Sequence, residues 1–265
     1  MRIAAVVLSL VVAVGTSSLS AQQGDNETTG LRVLSYNIKR GLGNDDKTDL
    51  ARTAAVIKKL NPDLVGLQEV DENARRSGGV DQAAELGKQL GMHHSFAPFM
   101  DYDGGRYGLA VLSKYPIEKS TIVKLPTGNE PRVALVVDVK LPGGEIVSFV
   151  CLHFDWVRDD KFRVAQANEL KTHLEGLKTP CLVVGDFNDG PDSKTLELMR
   201  HGMLEAKKPA DDRFTFSSDK PRIEIDFIMM SPPSRFDVKM VDVIEEPMAS
   251  DHRPLLAEIE LKPAQ

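Results

Sequence analysis

The sequence predicts an α/β fold, a four-layer sandwich of two packed mixed β-sheets with helices on the outer faces. Three observations lead there. About eleven short strand-like segments stand against four helical ones, and so many strands with so few helices need two sheets packed face to face. Several strands are unbroken apolar runs, such as Cys181-Leu182-Val183-Val184-Gly185, which marks them as buried on both faces. Those runs also end in polar residues, the way α/β proteins present a site at strand tips.

The chain has 265 residues, 42% hydrophobic and 27% charged, with a net charge of −6. That composition is ordinary for a globular protein, and the acidity argues mildly against a dedicated nucleic-acid binder. Met1-Arg2, the apolar run Ile3 to Val14 and the small residues to Ala21 have the three-part form of a secretory signal peptide. The run is shorter than the roughly 20 residues that span a bilayer. We therefore expect a cleaved signal over 1–21, a flexible lead over 22–30 and one catalytic domain over 31–265, secreted or periplasmic, monomeric and without a transmembrane anchor.

In chain order, Leu31 to Ile38 reads as a strand and Thr48 to Leu60 as a helix, stopped by Asn61-Pro62. A second buried strand, Asp63 to Val70, carries Glu69 near its end. Val80 to Leu90 is a helix with Gly91 as its C-cap. Strands follow at His93 to Phe96, Tyr107 to Ser113, Ile117 to Lys124, Arg132 to Leu141 and Glu145 to His153, the last two joined by a Gly143-Gly144 turn. Arg158 to Gly176 is helical, then comes the Cys181 strand, then a short helix from Asp192 to Arg200. Late strands are expected at Arg213 to Phe216, Ile223 to Met230, Phe236 to Val243 and Leu255 to Leu261. The offsets of Cys151 and Cys181 from their strand ends differ by three residues, which places them roughly 10 Å apart and on opposite faces. Two free thiols are expected rather than a disulfide.

Set side by side, the strand ends carry Asn37, Glu69, His153, Asp186 with Asn188, and Asp226, and Ser250-Asp251-His252-Arg253-Pro254 precedes the last strand. Each has an ordinary reading by itself: Glu69 a solvated strand end, His153 a satisfied core histidine, Asp186 to Asp189 an Asx turn. Asp226 lies inside an apolar run, where a carboxylate needs a histidine, an arginine or a metal beside it. If the tips converge, Glu69, Asp186, Asp226 and Asp251 crowd together, and a bound cation resolves the repulsion. An oxygen-rich set without cysteine suits Mg²⁺ first, Mn²⁺ or Ca²⁺ next.

Taken together, Ser35-Tyr36-Asn37-Ile38, Leu67-Gln68-Glu69-Val70, Tyr107 to Ser113, His153, Gly185-Asp186-Phe187-Asn188, Ile225-Asp226-Phe227-Ile228 and Ser250 to Pro254 resemble the endonuclease/exonuclease/phosphatase superfamily. That superfamily spans deoxyribonuclease I-like nucleases, abasic-site endonucleases, neutral sphingomyelinases and inositol polyphosphate 5-phosphatases. The pieces come in the family's order and cover about residues 31–261. The resemblance implies a metal-dependent phosphoric ester hydrolase using in-line attack by water. It implies a metal site of Glu69, Asn37 and Asp251, with Asp186 and Asn188 holding the attacking water. His252, fixed by Asp226, would stabilise the pentacovalent state, and His153 would donate a hydrogen bond to the phosphoryl group or protonate the leaving oxygen.

Arg132, Lys39 and Tyr107 are candidate substrate contacts; a solvated arginine and a core tyrosine are the alternatives. Trp156 would stack on a base, meet an apolar substrate or pack in the core, and core packing is the expectation. The substrate stays open between nucleic acid, a lipid head group and a small phosphorylated molecule. A non-catalytic binding module on the same fold is the alternative from a different class.

Overall fold

The computed structural model describes residues 28–264. The expected signal peptide and most of the expected lead lie outside the described residues. Among the described residues, twelve strands and four α-helices form two six-stranded mixed sheets with helices outside, the predicted architecture.

The first sheet contains β1 (Thr29–Asn37), β2 (Leu64–Glu72), β3 (His93–Tyr102), β4 (Gly105–Ser113), β11 (Phe236–Val243) and β12 (Leu255–Leu261), in the order β11-β12-β1-β2-β4-β3. The second contains β5 (Ile117–Lys124), β6 (Val133–Lys140), β7 (Ile146–His153), β8 (Cys181–Asp186), β9 (Leu204–Glu205) and β10 (Asp226–Ser231), in the order β5-β6-β7-β8-β10-β9. Each sheet has one parallel pair at its centre, β1/β2 and β7/β8. Their crossovers are helical: α1 (Leu50–Leu60) and α3 (Lys161–Glu175). Helices α2 (Gln82–Leu90) and α4 (Lys194–Arg200) complete the outer layers.

The caps explain the helix boundaries. Asp49, Asp81 and Ser193 each accept from the backbone N–H three residues on, at 3.0, 3.0 and 3.2 Å. Asn61 and Gly91 close α1 and α2 in the left-handed conformation.

Three apolar layers separate the four structural layers. Between the sheets lie residues such as Val33, Phe149, Val184 and Ile259. Leu34, Ile57 and Leu86 seal α1 and α2 onto the first sheet, and Phe154, Leu170 and Met199 seal α3 and α4 onto the second. Cys151 belongs to the inter-sheet layer and Cys181 to the layer under α3, and both are free. Ser148, not Cys151, is the register partner of Cys181, so the expected three-residue offset holds.

Strand β2 packs directly against β7 and β8 across the inter-sheet layer. A Cβ on Gly66 would meet Val184 Cγ2 at 2.3 Å and Cys151 Sγ at 3.2 Å. Gly66→Ala therefore overpacks a stiff, fully buried contact and should lower stability by about 1–3 kcal/mol in urea unfolding. An unchanged midpoint would contradict that approach.

Four expectations need correction. Arg213 to Phe216 is not a strand; Phe216 alone makes isolated bridges to Ile223 and His252. The strand expected from Ile223 starts at Asp226. Strand β3 runs on to Tyr102 rather than stopping at Phe96, passing Pro98 at a register shift; an edge strand tolerates the missing N–H. Strand β1 begins at Thr29, inside the expected lead, because Thr29 and Gly30 pair with Leu261 and Glu260. The two-residue β9 has no sequence signature.

Candidate active site

Register brings the polar tips together. His153 and Asp186 are level on the parallel β7/β8 pair. Asp226 is level with Asp186 on the antiparallel β8/β10 pair. On the first sheet, Asn37 is level with Gln68. A β-bulge between Leu67 and Val70 interrupts pairing with β4, and Glu69 sits there with φ +57°. The bulge turns Glu69 out of the ladder toward the second sheet, a common device next to active sites.

Asp186 is the hub. Its Oδ2 accepts from Asn37 Nδ2 at 3.2 Å and lies 3.4 Å from His153 Nε2 and 3.6 Å from His252 Nε2. Its Oδ1 accepts from the Asn188 backbone N–H at 2.9 Å. One oxygen thus makes the ordinary Asx turn, with Asn188 at φ +50°, while the other faces the site. Burial, and then the neighbouring Asp226 charge, push its carboxyl up to about 7 against the pull of His252.

The two histidines differ. His252 Nδ1 is 3.0 Å from Asp226 Oδ2. Burial opposes its charge, but Asp226 and Asp186 outweigh that and push it up to about 10, so it is an imidazolium. His153 Nδ1 is 3.3 Å from Arg132 Nη1. Arginine only donates, so Nδ1 is the acceptor and Nε2–H faces Asp186. Burial, with Arg132 adding to it, holds His153 well below the usual histidine range, so it is neutral.

Asn37 donates from Nδ2 to Glu69 Oε1 at 3.1 Å, and its Oδ1 accepts from Lys39 N–H at 3.1 Å. As placed, it bridges Glu69 and Asp186 and turns its oxygen away from the carboxylates, so it offers a cation no ligand atom. The flipped amide would set oxygen against two carboxylates, a contact only a cation between them makes favourable. Lys39 Nζ pairs with Asp251 Oδ2 at 2.7 Å, so it reaches the site through Asp251.

Asp186, Asp226 and His252 hold ligand-type atoms within 4.8 Å of one another. That trio is already a hydrogen-bonded ion pair, and a protonated imidazole repels a cation. Asp251 Oδ2 is held by Lys39 and Glu69 Oε1 by Asn37, which leaves Asp251 Oδ1 and Glu69 Oε2 as carboxylate oxygens whose chemistry fits a hard divalent ion.

These groups floor a cavity of about 490 Å³. Glu69, His153, Asp186, Asn188, Asp251 and His252 line it, and Arg132 and Tyr107 stand in its wall as expected. Trp156 does not pack in the core; it lines the same cavity and is 58% exposed. Arg76 was not foreseen. Its fork binds buried Asp71 at 2.7 and 2.9 Å, and its guanidinium lies 4.0 and 4.8 Å from the Tyr102 and Tyr107 ring centres. Thr215 was also missed. Its buried Oγ1 accepts from the Ile225 and Asp226 N–H groups at 3.3 Å, steadying the backbone that carries Asp226. Neither stands out locally: Arg76 reads as one charge in a polar loop beside Asp71, and Thr215 acts on backbone ten residues further on.

The endonuclease/exonuclease/phosphatase family model matches residues 34–252. The chain belongs to this family. Members of the endonuclease/exonuclease/phosphatase family are phosphoric ester hydrolases and generally depend on a divalent metal. The uncharacterized protein YbhP of Escherichia coli K12 is 32% identical over 246 residues, 87% of this chain and 96% of that one. Protein cwh43 of Schizosaccharomyces pombe is 28% identical over 181 residues; the match takes in 66% of this chain and spans 18% of that protein's length. A solved endonuclease/exonuclease/phosphatase from Bacteroides vulgatus superposes with a TM-score of 0.74 at 25% identity, covering 88% of this chain and all of that one.

Proposed function

We propose that the protein is an exported, Mg²⁺-dependent phosphodiester hydrolase. The observation that carries this reading is the convergence of Asn37, His153 and His252 on one buried oxygen, Asp186 Oδ2. Glu69 and Asp251 would hold the metal, with Asn37 beside them. Bound there, a divalent ion would neutralise phosphate charge and lower the pKa of water. Asp186 Oδ2 then accepts the proton of the attacking water, helped by a carboxyl pKa raised toward neutrality. Water oxygen bonds to phosphorus, the bond to the leaving oxygen breaks on the far side, and that oxygen takes its proton from solvent.

Asn188 Nδ2 is tied to Phe154 O at 3.0 Å, which leaves its other N–H and Oδ1 to hold the water or a phosphate oxygen. The His252 imidazolium sits where negative charge builds up. Of the two roles open to His153, its neutral state favours donating a hydrogen bond from Nε2–H over acid catalysis. A diester carries one negative charge, which suits a cavity whose lining arginines, Arg76 and Arg132, are already paired with Asp71 and Glu130.

Hydrolysis of an aryl phosphodiester and an aryl monoester, with Mg²⁺ and with chelator, tests the reading. Turnover of the diester that chelator removes and Mg²⁺ restores is the expected result. No turnover of either, nor of DNA, RNA, lipid or inositol phosphates, would sink it. Export rests on the signal-like residues 1–21. N-terminal sequencing of the protein from periplasm or medium should start near Gln22, and an intact Met1 would refute export.

A further inference from the structure

Among the described residues, six large hydrophobic side chains are exposed, and three of them, Tyr102, Trp156 and Ile223, line the one cavity that holds the catalytic groups. They are 42%, 58% and 48% exposed. They come from separate segments: the end of β3, the loop after β7 and the loop before β10. Scattered exposed hydrophobics are ordinary, whereas a group of them around a polar floor marks a binding surface. Phe216 adds a ring to the same cavity, its centroid 5.0 Å from that of His252. Four aromatic side chains, Tyr102, Tyr107, Trp156 and Phe216, therefore stand around the reacting position.

The cations argue against a polymer. A nucleic-acid strand brings a phosphate every few ångströms and is held by lysines and arginines free to replace its counterions. The two arginines lining this cavity are each committed. Arg76 forks onto Asp71, and Arg132 binds Glu130 at 3.0 Å while its Nη1 donates to His153. What the walls offer beyond the phosphate position is the rings of Tyr102, Tyr107, Trp156 and Phe216 and the apolar side chain of Ile223, with Arg76 lying over the two tyrosine rings. The volume, about 490 Å³, is that of a small-molecule site.

We infer that the substrate is a small phosphoester bearing a planar aromatic substituent next to the phosphate, with Trp156, Tyr102 and Ile223 gripping that ring. The inference rests on the hydrolase reading for its substrate but not for its measurement. A ring fits better than a chain because flat aromatic walls stack on flat groups.

Trp156 is the sole tryptophan in the sequence, so tryptophan emission of the full chain, excited at a wavelength tyrosine does not absorb, reports from this cavity alone. Wild-type protein with Mg²⁺ would be titrated with phenylphosphonate, methylphosphonate and octylphosphonate, none of which can be hydrolysed at the P–C bond by water attack. Phenylphosphonate should change the Trp156 emission and bind about tenfold more tightly than methylphosphonate, the gain expected for burying a ring. Ile223→Ser and Tyr102→Ala should each shrink that ratio, as read by calorimetry, while the melting temperature holds because both side chains are half in solvent. Equal affinities for phenyl and methyl, no binding by any probe, or an unchanged ratio in both variants would overturn the inference. Tighter binding of octylphosphonate than phenylphosphonate would overturn the ring in favour of a chain. Binding of phenylphosphonate with no turnover of any ester would retain the ring subsite and remove the hydrolase reading, so the two fail separately.

Discussion

Glu69→Gln should reduce phosphodiester turnover by about 10³-fold or more and weaken Mg²⁺ or Mn²⁺ binding in calorimetric titration, with the fold intact. The substitution keeps an Oε1 that can accept from Asn37 Nδ2, the bond now 3.1 Å long. Its side chain is half-buried and holds no other hydrogen bond in the structure, so the melting temperature should change little. What is lost is the carboxylate charge on the bulge that faces Asp186 from the first sheet. Ala at the same position should be as inactive. Near-normal turnover in either variant, or unaltered metal affinity, would remove Glu69 from the metal site. Asp186→Ala should be equally inactive through loss of the proton acceptor.

The second large effect belongs to a residue that touches the site through another. Asp226→Asn should cut kcat by about 10³- to 10⁴-fold with KM little changed, the scale on which loss of a histidine-orienting carboxylate acts. Asp226 Oδ2 fixes His252 Nδ1 at 3.0 Å, and its charge is foremost among the influences raising that imidazole to about 10. Asparagine keeps the shape, removes the charge and lets His252 adopt the other tautomer. An NMR titration should find the His252 pKa lowered in the variant. Stability should fall, because the variant leaves buried His252 without its ion-pair partner, a loss only partly offset by relieving the repulsion between Asp226 and Asp186. A variant with full kcat, or with His252 titrating as in the wild type, would show that the pairing does not serve the reaction.

Much of the site was legible as strand ends. Asn37, His153, Asp186 and Asp226 stand at the tips of apolar runs, and a run's end is a local property of sequence. Which tips meet is a matter of register. The parallel β7/β8 pair sets His153 level with Asp186, and the antiparallel β10 brings Asp226 to the same level. Glu69 was found for its carboxylate, but nothing local foretells the bulge and the φ of +57° that aim it. Asn37 was expected as a metal neighbour; as placed it donates to Glu69 and Asp186, with its Oδ1 accepting from the Lys39 N–H. Trp156 was expected in the core because large aromatics usually bury, and it stands in solvent on the cavity wall.

By itself the sequence determined the four-layer architecture, the free cysteines and the acidic, oxygen-rich chemistry of the site. Hydrophobic periodicity and the residue types at strand ends are written along the chain, so they survive without coordinates. Tertiary structure alone decided the protonation of the two histidines and the aromatic wall around the phosphate position. Each of those depends on charges and rings from segments tens of residues or more apart, such as Arg132 with His153 or Asp226 with His252, whereas Arg76 and Arg132 pair with the near neighbours Asp71 and Glu130. Packing energies fall off within a few ångströms and screened Coulomb energies within roughly 10 Å, so no reading along the chain can rank such distant partners until the sheets have brought them side by side.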